Sequence, residues 1–217
     1  MKQKTLFVVA AIALLLAFLV GTLLYTSEKQ TVAHEAVLHA QENLVRMHSP
    51  TLGKAEAKVL IVEFFDPACG TCRDFYPLVK ELMAAHPDRI RLALRYTPFH
   101  EGSADVVKIL EAARKQDKFW QTLETLYAKQ DHWVQHHQVQ LAQVWDALTS
   151  VGLDLERVRQ DMNAPEIAAM IAQDMSDAEA LKVSKTPEFF VNGRPLPSFG
   201  YEPLQALVAE AVAEQYR

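Results

Sequence analysis

The sequence predicts an α/β domain that is interrupted by an all-helical insertion and preceded by an N-terminal transmembrane helix. Three observations predict it: an uncharged apolar run near the N-terminus, a strand–helix–strand pattern around the only two cysteines, and a strand pair with a closing helix after a long stretch of helical periodicity.

The chain has 217 residues, 50% of them apolar, so it can bury a substantial core. Its net charge of −5 and scattered basic residues offer no field for a phosphate backbone, and nucleic acid is not expected as a partner. Residues 1–27 open with Lys2 and Lys4, and Thr5–Ser27 then carries no charge. A helix rising about 1.5 Å per residue crosses the roughly 30 Å hydrocarbon core in some 20 residues, so this run is long enough to span. A cleaved signal peptide has a shorter apolar part and a small-residue cleavage site close behind it, whereas Thr31-Val32-Ala33 lies well beyond the run. A retained anchor is therefore favoured over cleavage. On either reading the rest of the chain is exported, because Lys2 and Lys4 stay on the cytoplasmic side. The expected location is an inner-membrane anchor with the domain in the periplasm or otherwise outside the cytoplasm. Residues 28–42 read as a polar linker and 43–217 as the folded domain.

Within the domain, Val59–Phe65 is a nearly continuous apolar run, the pattern of a strand covered on both faces. It stops at Asp66-Pro67. Phe75, Leu78, Val79, Leu82 and Met83 then recur at helical spacing from about Gly70 to Ala85, with Pro77 inside as a source of a kink. Ile90–Tyr96 alternates apolar and charged residues as a second strand, so the unit reads as a right-handed parallel crossover. From about 102 to 181 the period is helical, and the apolar stripes Val106/Leu110/Ala113, Phe119/Leu123/Leu126, Leu141/Val144/Trp145/Leu148 and Ile167/Met170/Ile171/Met175 predict about four helices. Glu188–Val191 and Arg194–Leu196 flank Asn192-Gly193, a strong hairpin turn signal, and a helix from Glu202 to about Gln215 closes the chain.

Cys69 and Cys72 admit three uses. A zinc site needs about four ligands and this pair supplies two; the remaining histidines, notably His132, His136 and His137, look like a solvated helix face. A structural disulfide across so short a loop restrains the unfolded chain little. A redox pair has a mechanism: a sulfur at the first position of a helix meets unpaired N–H groups and the positive end of the helix dipole, which favour the thiolate. Cys69 would attack, and Cys72, one turn further in, would resolve. No cofactor and no resident metal are needed for that chemistry.

The order of elements, the helical insertion, "FFDPACGTC" and "KTPEFFVNG" together resemble the DsbA-like branch of the thioredoxin superfamily, across 43–217. The resemblance implies a thioredoxin fold. It implies that Cys69 is the nucleophile, that Cys72 is the resolving cysteine, and that Gly70 and Thr71 form the variable dipeptide that tunes the redox potential. It further implies that Pro187 is a cis-proline beside the sulfurs, that the backbone of Thr186 pairs with substrate, and that Glu63 is a buried acid serving Cys72. Each has a plainer rival: Thr-Pro before a strand is often an entry turn, and a lone glutamate in a strand usually faces solvent.

The implied function is exchange of the Cys69–Cys72 disulfide with exported cysteine-containing proteins, introducing disulfides. A membrane redox partner would recycle the pair. Gly-Thr replaces the Pro-His of strongly oxidising members, which removes an imidazole that stabilises the thiolate and leaves reduction or isomerisation as the alternative. A membrane-tethered copper-binding protein is a third reading, since two thiolates suit Cu(I).

Overall fold

A computed structural model describes residues 44–217. The segment expected to span the membrane, 1–27, and the linker, 28–42, lie outside the described residues. Among the described residues no helix is long and apolar enough to cross a membrane.

The core is a five-stranded sheet. Its strands are β1 (Thr51–Leu52), β2 (Val59–Phe65), β3 (Ile90–Tyr96), β6 (Glu188–Val191) and β7 (Arg194–Pro195), in the order β1-β3-β2-β6-β7. β2 is parallel to β3, and β6 is antiparallel to β2. Between β2 and β3 runs helix α1 (Gly70–Ala85), and helix α8 (Tyr201–Gln215) closes the chain. Pro77 lies inside α1 at an exposed position, where its missing N–H leaves Arg73 without the usual acceptor role.

Strand periodicity divides β2 between two cores. Val59, Ile61 and Phe65 join the cluster that contains Cys69, Cys72 and Phe75, while Val62 and Phe64 join a second cluster with Leu44, Ala178 and Phe190. Glu63 shares its parity with Ile61 and Phe65, so period-two alternation sends it to the cysteine side of the sheet. It is buried, with 1% exposure.

The insertion departs from the sequence expectation. It holds six helices, α2 (Ser103–Arg114), α3 (Phe119–Ala128), α4 (Gln130–Trp133), α5 (Leu141–Leu148), α6 (Leu155–Asp161) and α7 (Pro165–Ala180), rather than about four. Nor is it all-helical, because β4 (Val134–Gln135) and β5 (Gln138–Val139) pair as a small hairpin. His136 and His137 form its turn at φ 51° and 62°, so they are not on a helix face. Alternating polar and apolar residues over so few positions are too short a signal to separate strand from helix. The two-residue β1 escaped notice for the same reason, and the strand after Gly193 ends at Pro195 rather than Leu196.

Ile90–Tyr96 is the expected second strand, and of its two charged residues Arg95 is fully buried. The stripe Ile167/Met170/Ile171/Met175 implies an apolar contact for α7, yet the buried residues there are Ile167, Asp174, Asp177 and Ala178. Arg95 donates to Asp174 and to Asp177, and Tyr96 N donates to Asp174 Oδ2 at 2.8 Å. Arg46 adds two bonds to Asp177 at 2.7 and 2.8 Å, and His48 pairs with Asp174 at 2.7 Å. A buried charge needs opposite charge and hydrogen bonds, so α7 turns its carboxylates inward and leaves its methionines half-covered.

Candidate active site

β2 ends at Phe65, and the chain turns through 66–69 into α1. Asp66, fully buried, shapes that turn. Its Oδ1 accepts from Ala68 N at 2.8 Å and from the Ser103 hydroxyl, and its Oδ2 accepts from His100 N and pairs with His100 Nδ1, each at 2.8 Å. From the insertion, buried Gln130 donates through Nε2 to Pro67 O at 2.9 Å and to Cys69 O at 3.2 Å. The turn is thus held from both sides.

Cys69 is the N-cap of α1, with extended backbone (φ −76°, ψ 119°), and Gly70 is the first helical residue. The helix starts where its periodicity places it, so Cys69 caps it rather than occupying its first position. The electrostatic consequence is kept, because an N-cap side chain faces the N–H groups of the first turn. Both cysteines are free thiols, Cys69 at 6% exposure and Cys72 at 0%, while Thr71 is exposed.

The two sulfurs are driven in opposite directions. A hydrogen bond from the Cys72 side chain, followed by the Thr186 side chain and the Cys72 and Thr71 backbone, pulls Cys69 down from 9.0 to about 5 against the opposing effect of burial. Burial first, then the bond given to Cys69 and the nearby Glu63 carboxyl, pushes Cys72 well up. Glu63 is pushed well above the usual carboxylate range by burial and by the Cys69 charge. Its Oε1 is buried with no hydrogen-bond partner among the described residues. Cys69 is thus favoured as the thiolate and Cys72 as the thiol, while Glu63 is biased toward its protonated form.

The loop before β6 completes the site. The Thr186–Pro187 peptide is cis, Pro187 is buried, and Cys69 Sγ lies 3.4 Å from Thr186 O, to which it donates when protonated. Cys69 therefore meets Cys72 and Thr186, Pro187 follows in the cis peptide, Glu63 lies on the same face of the sheet, and Gly70 and Thr71 stand in the first turn of α1. Beside them, Phe75 carries the rings of Phe199 at 5.2 Å and Tyr201 at 4.4 Å, both about half exposed. A groove of 580 Å³ runs along α1 between Tyr76, Tyr127 and Tyr201. Among the described residues no group of three or more His, Cys, Asp or Glu side chains is arranged to hold a metal ion.

Sequence reasoning missed Asp66 and Gln130. Asp66 was visible only as the residue that stops β2, and Gln130, one of several glutamines in a helical stretch, carried no signal at all.

A C-x-x-C pair at the head of a helix that follows a central strand, beside a cis-proline loop and with a helical unit inserted between the two halves of the sheet, is the arrangement of a thioredoxin-like oxidoreductase. The family model described as thioredoxin matches residues 46–210, and the chain belongs to that family. Among solved structures, a thioredoxin-like oxidoreductase from Silicibacter pomeroyi DSS-3 is 34% identical with a TM-score of 0.67, covering 76% of this chain and 93% of that one. BdbD from Bacillus subtilis is 22% identical (TM-score 0.67; 76% of this chain, 93% of that one) and shares the fold. So does the catalytic domain of Proteus mirabilis ScsC, at 21% identity (TM-score 0.68; 82% and 98%). The Na(+)/H(+) antiporter NhaA 3 of Salinispora tropica is 32% identical over 189 residues, which is 82% of this chain and 28% of the antiporter. The chain spans about a quarter of the length of the curated relatives it matches.

Proposed function

We propose that the protein introduces disulfides into exported proteins, using Cys69 and Cys72 as its redox pair. The observation that carries this reading is the acidity of Cys69. A thiolate that persists down to about pH 5 stabilises the reduced form, and a stable reduced form makes the disulfide a good oxidant.

In the forward reaction a substrate thiolate attacks Cys69 Sγ of the disulfide, a mixed disulfide forms, and the Cys69–Cys72 bond breaks. Cys72 leaves and takes up a proton, for which Glu63 is the nearby buried acid. A second substrate thiolate then attacks the substrate sulfur of the mixed disulfide and expels Cys69 as thiolate. The substrate loses two electrons and two protons, and the pair gains the electrons. Thr186 offers its backbone to an extended substrate chain, and the Phe199/Tyr201 surface and adjoining groove suit apolar side chains of an unfolded one. A membrane redox partner returns the pair to the disulfide.

The same reading keeps the domain outside the cytoplasm, tethered through Thr5–Ser27; the uncharged length of that run and the lysines before it support this. Reduction or isomerisation is the second reading. It is favoured by Thr71, whose exposed hydroxyl replaces no more than part of what an imidazole offers.

The equilibrium of the pair with glutathione separates the two. A potential near about −120 mV is expected for the oxidant, whereas one near about −270 mV would turn the assignment to reductase. The Cys72→Ala variant should accumulate mixed disulfides with reduced, unfolded substrate in the presence of oxidant. A protein that only held copper between its thiolates would form none.

A further inference from the structure

We propose that Gln130 is a positioning residue for the exchange centre: its carboxamide, delivered by the helical insertion, ties down the Pro67 and Cys69 carbonyls and so aims the first N–H groups of α1 at the Cys69 sulfur. The proposal rests on the exchange role of Cys69 and extends it to a residue far away in sequence.

Gln130 is 3% exposed, and both of its Nε2 hydrogens are used, on Pro67 O and on Cys69 O. The Cys69 carbonyl also accepts Arg73 N at 3.2 Å, the first bond of α1, so Gln130 shares the acceptor that starts the helix. Its own placement is rigid. Trp133, fully buried in the same short helix, donates Nε1 to Leu126 O at 2.8 Å and locks α4 against the end of α3. The next residue, Asp131, takes Arg73 Nη1 at 2.7 Å, so α4 grips the first turn of α1 a second time from its exposed side. A Cβ at Gly70 would stand 3.8 Å from Gln130 Oε1, so the side chain also abuts the variable dipeptide.

The coupling is electrostatic and geometric. The Cys69 thiolate depends on donors from the Thr71 and Cys72 backbone, and such bonds weaken steeply when misaligned. Without Gln130, the Pro67 carbonyl loses this donor and the Cys69 carbonyl keeps only Arg73 N, so the turn relaxes and carbonyl charge near the sulfur is less compensated.

The test uses the reduced full-length chain and Gln130→Met, which keeps the volume and removes both donors. Thiolate absorbance at 240 nm and alkylation rate against pH give the Cys69 pKa, and glutathione mixtures give the equilibrium constant. Q130M should raise the Cys69 pKa by about one unit and shift the glutathione equilibrium about tenfold toward the disulfide. Trp133→Phe, which loosens the helix that carries Gln130, should move both quantities in the same direction by less. If Q130M fails to fold, Gln130→Glu decides: it keeps the shape, offers at most one donor, and should raise the pKa as well. A folded variant with both quantities within about twofold of wild type overturns the role of Gln130. Ordinary alkaline titration of Cys69 in the wild type would overturn the exchange reading along with it.

Discussion

The carbonyl oxygen of Thr186 lies 3.4 Å from the Sγ of Cys69, across 117 residues of chain. The same threonine contributes a side-chain hydrogen bond that lowers the Cys69 pKa, so one residue meets the sulfur through both its carbonyl and its side chain. Thr186→Val keeps the branched shape and the carbonyl but removes the hydroxyl. Its Cys69 pKa should rise from about 5 by up to about one unit, with a less oxidising pair, as read by thiolate absorbance and glutathione equilibrium.

The acidity of Cys69 makes stability depend on both pH and redox state. Its folded pKa, about 5, lies below the free-thiol value of 9.0, so between these values the reduced folded protein binds fewer protons than its unfolded chain. This contribution is full above the free-thiol value and is lost as pH falls through about 5. The oxidised protein lacks it. Stability of the reduced form relative to the oxidised form should therefore increase from about pH 6 to 8, by at most about 1.4 kcal/mol per pH unit in paired urea titrations. Glu63 acts in the opposite sense in both forms: its raised pKa gives stability at low pH that is lost as pH rises through its folded value.

Glu63→Gln removes the titratable carboxyl and leaves a side chain of the same size. Because the Glu63 carboxyl raises Cys72, the variant should have a lower Cys72 pKa. Resolution of a preformed mixed disulfide should slow by at least about tenfold at neutral pH if Glu63 handles the Cys72 proton. Stopped-flow measurement of that single step checks it, and an unchanged rate would remove Glu63 from the mechanism.

The cluster of Arg95 with Asp174 and Asp177 holds the sheet to α7. Asp174→Ala leaves Arg95 with one carboxylate fewer in a site with no water access, and Tyr96 N loses its acceptor. Breaking a buried pair in this way costs about 3–5 kcal/mol, to be read as a lower urea midpoint in both redox states. The Cys69 pKa should not change.

Much of the site was legible from the chain. Cys69 and Cys72 announce themselves by spacing, Glu63 was legible only through the family resemblance, since a lone strand glutamate usually faces solvent, and Asn192-Gly193 marks the turn between β6 and β7. The cysteine and turn signals are local, because each depends on residues within one element or one turn. The hairpin at His136-His137 was not legible, since two-residue strands carry no measurable period.

By itself the sequence determined the spacing of the cysteine pair, the strand and helix that carry it, the long uncharged run at Thr5–Ser27 and the division of the domain by a helical insertion. Only the tertiary structure decided that Arg95 is buried against Asp174 and Asp177, that Asp66 holds His100 and Ser103, and that Gln130 caps the carbonyls of the active-site turn. The physical reason is that backbone periodicity is written along the chain, whereas the partner of a buried charge or carbonyl is chosen by proximity in space.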